Sequence, residues 1–117
     1  MARLYIIMLV WLKPGGQQAL HTFREQAAHL WQHHDVRVER VLTGTGKGQL
    51  IGANPHDVPD LLQVVSVPSL EAFRAYTTSP EYVRLAEARD RGIARMVAVL
   101  GPALDVSAYN PESRSAL

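Results

Sequence analysis

Residues Pro68–Pro102 read PSLEAFRAYTTSPEYVRLAEARDRGIARMVAVLGP, and the fold turns on how this stretch divides. Its pattern predicts a short helix, a sharp restart at Ser79-Pro80, and a long second helix. Ser79 suits a cap, and Pro80 suits the first helical position because no N–H is needed there. Counted at 3.6 residues per turn, Tyr82, Leu85, Ala86, Arg89, Ile93, Met96, Val97 and Leu100 share one face. That face is expected to pack, yet it carries a phenol and, seven residues on, a guanidinium. Gly101-Pro102 is the expected stop.

Upstream, Leu4–Leu12 (LYIIMLVWL) is rich in β-branched and aromatic residues with no polar alternation. This reads as a central strand buried on both faces. A Lys-Pro-Gly-Gly turn follows, then a helix over Gln17–His34 with Leu20, Phe23, Ala27, Leu30 and Trp31 at helical spacing. Val36–Thr43 alternates like an edge strand, and Gly44, Gly46 and Gly48 punctuate a hairpin extension. That glycine cluster lacks the spacing of a phosphate loop, and no helix follows it. Asn54–Pro59 reads as a loop, Asp60–Val67 as a strand and Ala103–Tyr109 as a last short strand.

The resulting order, β-α-β-β-α-β, is the ferredoxin-like α+β arrangement: a four-stranded antiparallel sheet with both helices on one face. One domain is expected over residues 1–110, with a frayed tail at 111–117. Two helices cover only one face, whereas the first strand, with Tyr5, Ile7, Leu9 and Trp11 against Ile6, Met8, Val10 and Leu12, is apolar on both. The simplest cover is a second copy, sheet against sheet, in a homodimer.

Composition narrows the chemistry. The 117 residues contain no cysteine, which excludes disulfides, thiolate catalysis and thiolate-bound metals. Twelve basic against eleven acidic side chains leave a net charge of +1, with no electrostatic footprint for nucleic acid or an anionic membrane. The apolar run at Leu4–Leu12 is far short of the ~20 residues of a spanning helix, so a cytoplasmic protein is expected.

Among candidate site residues, Tyr76 and Tyr82 read either as amphipathic core groups or as hydroxyls facing a pocket. Arg89 is the sharper case, because arginine is seldom buried unless paired. It reads as a snorkel toward Asp90, Glu87 or a partner subunit, or as a pocket cation that holds a carboxylate or enolate or favours a Tyr82 phenolate. His21, His29 and His33 fall on the solvated side of their helix, and His29 and His33, four apart with Glu25 a turn before, make a weak metal motif. His34 falls within the stripe, as a helix cap or a pocket base. Arg84, Arg91 and Arg95 alternate with Glu81, Glu87 and Asp90 as a solvated helical face. His56-Asp57 is a possible loop pair.

The motif Val67-Pro68-Ser69-Leu70-Glu71-Ala72-Phe73, with Tyr76 and then Ser79-Pro80-Glu81-Tyr82, resembles the dimeric α/β-barrel superfamily, in particular its small bacterial barrel proteins. The resemblance in element order covers residues 3–110, and the motif covers 67–85. Superfamily members include cofactor-independent oxygenases, polyketide cyclases, lactone isomerases, and haem-degrading or haem-binding proteins. The polyketide cyclases carry a tyrosine six residues before a catalytic histidine, with a proline two residues before it. Tyr76 and Pro80 are similar in spacing, but position 82 holds tyrosine in place of histidine.

The resemblance implies a cofactor-independent cyclase, isomerase or monooxygenase acting on a small, largely apolar carbonyl or phenolic compound. Tyr76, Tyr82, Arg89 and His34 are the candidate catalytic residues. Phe23, Trp31, Met8, Phe73 and Met96 are the candidate walls of the substrate pocket. The alternative is a non-catalytic barrel that binds a small molecule, or haem with His34 as axial ligand.

Overall fold

In a computed structural model, which describes residues 3–43 and 57–103, seven elements follow in order. They are β1 (Leu4–Leu12), α1 (Gly16–His34), β2 (Arg37–Thr43), β3 (Leu61–Val67), α2 (Leu70–Thr78), α3 (Pro80–Asp90) and β4 (Ile93–Pro102). β1 pairs antiparallel with β3, from Leu4 opposite Val67 to Val10 opposite Leu61. On its other side it pairs antiparallel with β4, from Leu4 opposite Pro102 to Leu12 opposite Ile93. The sheet order is β2-β3-β1-β4, which is the ferredoxin-like topology.

Alternation along β1 sends Ile6 and Val10 into the buried core beneath the helices, and Ile7 to the opposite face, where it is 44% exposed. Beside it on that face lie Val97 and Val99 of β4, 45% and 63% exposed, in register with Leu9 and Ile7. The two-sided apolarity of β1 is therefore used on one side by this chain's helices and left uncovered on the other.

The expectation of one helix running to Leu100 is overturned. α3 ends at Asp90, Arg91-Gly92 turns the chain, and Ile93, Met96, Val97 and Leu100 belong to β4. A short apolar run fits helical and strand periods equally well. Here the unpaired edge of β1 and the β-branched residues Ile93, Val97 and Val99 decide for the strand. Gly101-Pro102 consequently ends a strand rather than a helix. Arg95 does not join a solvated helical face. Its guanidinium lies 3.7 Å from the Trp11 ring centroid, and Nη2 donates to both carboxylate oxygens of Asp57. The expected strand at 103–109, the hairpin glycines, His56 and the 111–117 tail lie outside the described residues, apart from Ala103, which is in no strand.

Local signals account for the other elements. The Ser69 hydroxyl accepts from Ala72 N–H at 3.1 Å and starts α2. Ser79 both closes α2, donating to the Tyr76 carbonyl at 2.8 Å, and opens α3, accepting from Tyr82 N–H at 3.3 Å. Pro80 occupies the first turn of α3. α1 ends at Asp35 in the left-handed conformation (φ 53°), and its side chain is tied into a polar corner. Arg3 donates to Asp35 Oδ2 at 2.9 Å and to the fully buried Ser66 hydroxyl at 2.8 Å, and Ser66 donates to Glu39 at 2.6 Å.

Two predictions follow from these contacts. A Cβ on Gly16 would run into the Gly92 carbonyl oxygen, which is backbone and also accepts from Lys13 N–H. Gly16→Ala should destabilise by roughly 1–3 kcal/mol, as overpacking does, with a lowered urea midpoint as the readout. The Arg3 hydrogen bond, helped by the charges of Arg3 and Arg37, holds the Asp35 carboxyl below its ordinary value despite some desolvation. Its contribution is therefore complete above the unfolded value of about 3.9 and is lost as pH falls through the depressed folded value. Asp35→Asn, which tolerates the same backbone, should flatten that acid limb of the stability curve.

Candidate functional site

α1, α2 and α3 do not seal the sheet face they cover. Between them and the sheet lies a cavity of about 150 Å³. Phe23 and Trp31 of α1, Phe73 and Tyr76 of α2, and Tyr82 and Arg89 of α3 form its roof and sides. Met8 of β1 and Met96 of β4 line its floor with Gln63 of β3. The structure thus gathers eight of the nine sequence-selected residues around one space. Met96 reaches it from a strand rather than from the helical stripe. Val38 and Met96, 39% and 41% exposed, also line the cavity, so it communicates with solvent at the sheet edges.

The aromatic groups are mutually braced. The Tyr76 and Tyr82 ring centroids stand 4.6 Å apart. Phe23 makes edge contacts with Trp31 at 6.4 Å and with Tyr82 at 6.2 Å. Each such pair contributes roughly 0.5–1.5 kcal/mol beyond its burial. Trp31 Nε1–H donates to the Tyr76 hydroxyl oxygen at 2.8 Å. With that oxygen accepting from the indole, the phenolic proton of Tyr76 is free to point at a cavity occupant. Burial pushes the Tyr76 pKa up to about 12, with the Tyr82 neighbour adding to the rise and Trp31 and Arg89 opposing it. Tyr76 is thus a neutral donor across the physiological range.

Arg89 is nearly buried, its side chain 12% exposed. Its guanidinium carbon sits 4.7 Å from the Phe23 centroid and 5.8 Å from that of Tyr82, and Nε donates to Asp90 at 2.9 Å. Both sequence readings are therefore present together: the Asp90 pair and the position in the cavity wall. Burial works against its charge, but the neighbouring Tyr82 phenol and Asp90 outweigh it, and the Arg89 pKa is raised. A permanent cation faces the two phenols.

The histidines stand elsewhere. His34 is half-buried behind Tyr76, with ring centroids 5.7 Å apart, and is not part of the cavity lining. His29 pairs with Glu81 at 2.6 Å across α1 and α3, and His21 pairs with Glu25 along α1. Among the described residues, no three His, Cys, Asp or Glu side chains are grouped to hold a metal.

Sequence reasoning missed two polar residues at the inner end. Gln63 is the one polar side chain within Leu61–Val65, on the helix-facing side of β3 opposite Met8. Its Oε1 accepts from Arg24 Nη2 at 3.1 Å, and burial pushes the Arg24 pKa down. An amide interrupting an otherwise apolar strand was the available signal.

No family model and no curated protein matches the chain. Solved structures do match. A protein of unknown function from Rhodopseudomonas palustris superposes with a TM-score of 0.78 at 14% identity, covering 89% of this chain and 84% of its own. A dimeric ferredoxin-like protein of unknown function from Thermobifida fusca gives 0.58 at 16% identity, over 87% and 92% of the two chains. A candidate antibiotic biosynthesis monooxygenase from Caulobacter crescentus gives 0.62 at 8% identity, over 89% and 92%. At these identities the likeness is one of fold. The chain shares the ferredoxin-like fold of these proteins, as the element order and the superfamily resemblance in its sequence implied.

Proposed function

We propose that the chain is an enzyme that enolises a small, largely apolar carbonyl or phenolic compound without a cofactor, in the manner of a cyclase, isomerase or monooxygenase. The observation that supports it is the pairing of a neutral donor and a cation over one apolar cavity: Tyr76, with its proton free, and Arg89. A cavity of 150 Å³ is about the size that holds one benzene ring, which limits the reacting part to a single ring or an equivalent chain.

Enolisation moves a proton from carbon to a base while negative charge grows on the carbonyl oxygen. In this reading the Tyr76 hydroxyl donates to that oxygen, and its raised pKa keeps it protonated as it does so. Tyr82, beside Arg89, takes the proton in its phenolate form and becomes the neutral phenol. Arg89 balances the charge, which passes from the phenolate to the enolate. An electron-rich enolate or phenolate so held is the species that cyclises, isomerises or reacts with oxygen.

The non-catalytic alternative uses the same cavity. Its haem version is disfavoured by the place of His34 outside the lining and by a volume suited to one ring. Likeness to a monooxygenase candidate adds weight to the enzymatic reading without choosing a reaction.

The same reading includes a homodimer, with sheet packed on sheet over the uncovered face of β1 and β4. The exposed Ile7, Val97 and Val99, and Leu42 of β2 at 57%, are the residues that need cover. The dimeric state of ferredoxin-like neighbours is consistent with it.

Two measurements test these statements. Deuterium exchange into the α-position of acetophenone, followed by proton NMR, should be accelerated by the protein and reduced roughly 10²–10⁴-fold in Tyr82→Phe with stability unchanged. Arg89→Met should lower the exchange rate, since the cation that balances the enolate is gone. Full activity in Tyr82→Phe would remove Tyr82 as the base and make His34 the next residue to test. Sedimentation should return a dimer of the 13.0 kDa chain, and Ile7→Lys with Leu9→Lys should dissociate or unfold it. A monomer at micromolar concentration would sink the assembly.

A further inference from the structure

The aromatic cavity continues inward. A second space of about 30 Å³ lies against it, sharing Met8, Phe23, Gln63, Arg89 and Met96 with the main cavity and adding Arg24. That space takes about two waters, so it has room for a small polar head group and none for a ring. Its polar lining is unusual in sign. A guanidinium has donors only, so Gln63 must turn its oxygen to Arg24, and the Gln63 Nε2 donors are left over. No hydrogen-bond partner for Nε2 exists among the described residues. Arg24 donates to Gln63, and Asp60, which lines the outer groove beside Arg24, does not line this inner space. Arg89 meets Asp90 through Nε, and its guanidinium lines this space beside Tyr82. Two cations and an amide N–H₂ therefore meet at the inner end, and no acidic side chain lines that space.

We propose that Arg24, Gln63 and Arg89 form an anion-recognition site, and that the ligand is a single-ring aromatic acid whose carboxylate is held there while its ring fills the aromatic cavity. The inference rests on the reading of that cavity as a ligand site and adds the ligand's charge and orientation. Carboxylates suit the site because charge-assisted bonds from forked donors are roughly twice as strong as neutral ones. The ring would then lie against Phe23, Met8 and Met96, below both phenols.

The test is an NMR titration with benzoate and its neutral analogue benzamide, read on the Trp31 indole N–H. Benzoate should bind at least roughly tenfold tighter than benzamide, a difference of about 1.4 kcal/mol. Arg24→Met should weaken benzoate more than benzamide and so shrink that preference. Gln63→Glu, which places a carboxylate beside Arg24, should do the same and serves if Arg24→Met fails to fold. If both compounds shift Trp31 with equal affinity, or if neither variant alters the preference, the anion site is overturned while the ligand cavity stands. If neither compound shifts Trp31 up to roughly 10 mM, weaker than any specific pocket of this kind, the cavity reading falls and this inference falls with it.

Discussion

A strand that is apolar on both faces cannot lie at the margin of a sheet, and β1 is the constraint to which the other elements answer. Its nine residues need a hydrogen-bonded neighbour on each side, a layer above and a layer below. β3 and β4 supply the edges, and α1, α2 and α3 supply one layer. The helical layer is closest over Ile6 and Val10, both at 5% exposure or less. It is loosest over Met8, between them, where the cavity lies. The site is thus a gap in the packing over the central strand, walled by side chains too large to collapse into it. Close packing elsewhere, such as the Gly16–Gly92 contact that draws α1 onto the turn before β4, fixes the helices on either side of that gap.

Most of this was legible in the residues. β1 announced itself by composition, α1 by the recurrence of Leu20, Phe23, Ala27 and Leu30, and the α2/α3 restart by Ser79-Pro80. The error lay at Gly92, where helical periodicity was followed through a glycine into a run that also suits a strand. Local pattern has no means of settling such a run. The deciding fact is non-local, because β1 would otherwise have kept a bare edge some eighty residues away in sequence. Arg89 was legible because a guanidinium on an apolar stripe is anomalous on any reading. Gln63 and Arg24 were not, since each is ordinary alone and becomes a pair only when β3 passes beneath α1.

The polar groups of the cavity are costly as structure. Isolated, a buried guanidinium or phenol loses hydration that a hydrophobic residue of the same size would never have had. Arg89 recovers part of this through Asp90 and the Phe23 and Tyr82 rings, and Tyr76 through Trp31. Neither is spent by this: the Tyr76 proton is free for an occupant, and the Arg89 charge lines the cavity beside Tyr82. A domain selected for stability alone would fill the space with leucine. Unspent donors over an apolar floor are what a site needs if it is to bind oxygen atoms of an otherwise greasy molecule.

The break between α2 and α3 is what brings those donors together. On one continuous helix, Tyr76 and Tyr82 would be separated by roughly 240° of rotation and about 9 Å of rise, so their rings would diverge. Ser79 interrupts the helix with an extended backbone, ending one element on Tyr76's turn and starting the next on Tyr82's. The axis changes direction between them, and the two rings meet at 4.6 Å. Pro80 makes the interruption permanent, because its ring disfavours a helical conformation at Ser79. Arg89, seven residues beyond Tyr82, then falls on the same side of α3 and completes the group. A capping serine and a proline, each ordinary as helix punctuation, therefore act here as the hinge that converts two separate aromatic side chains into one paired site.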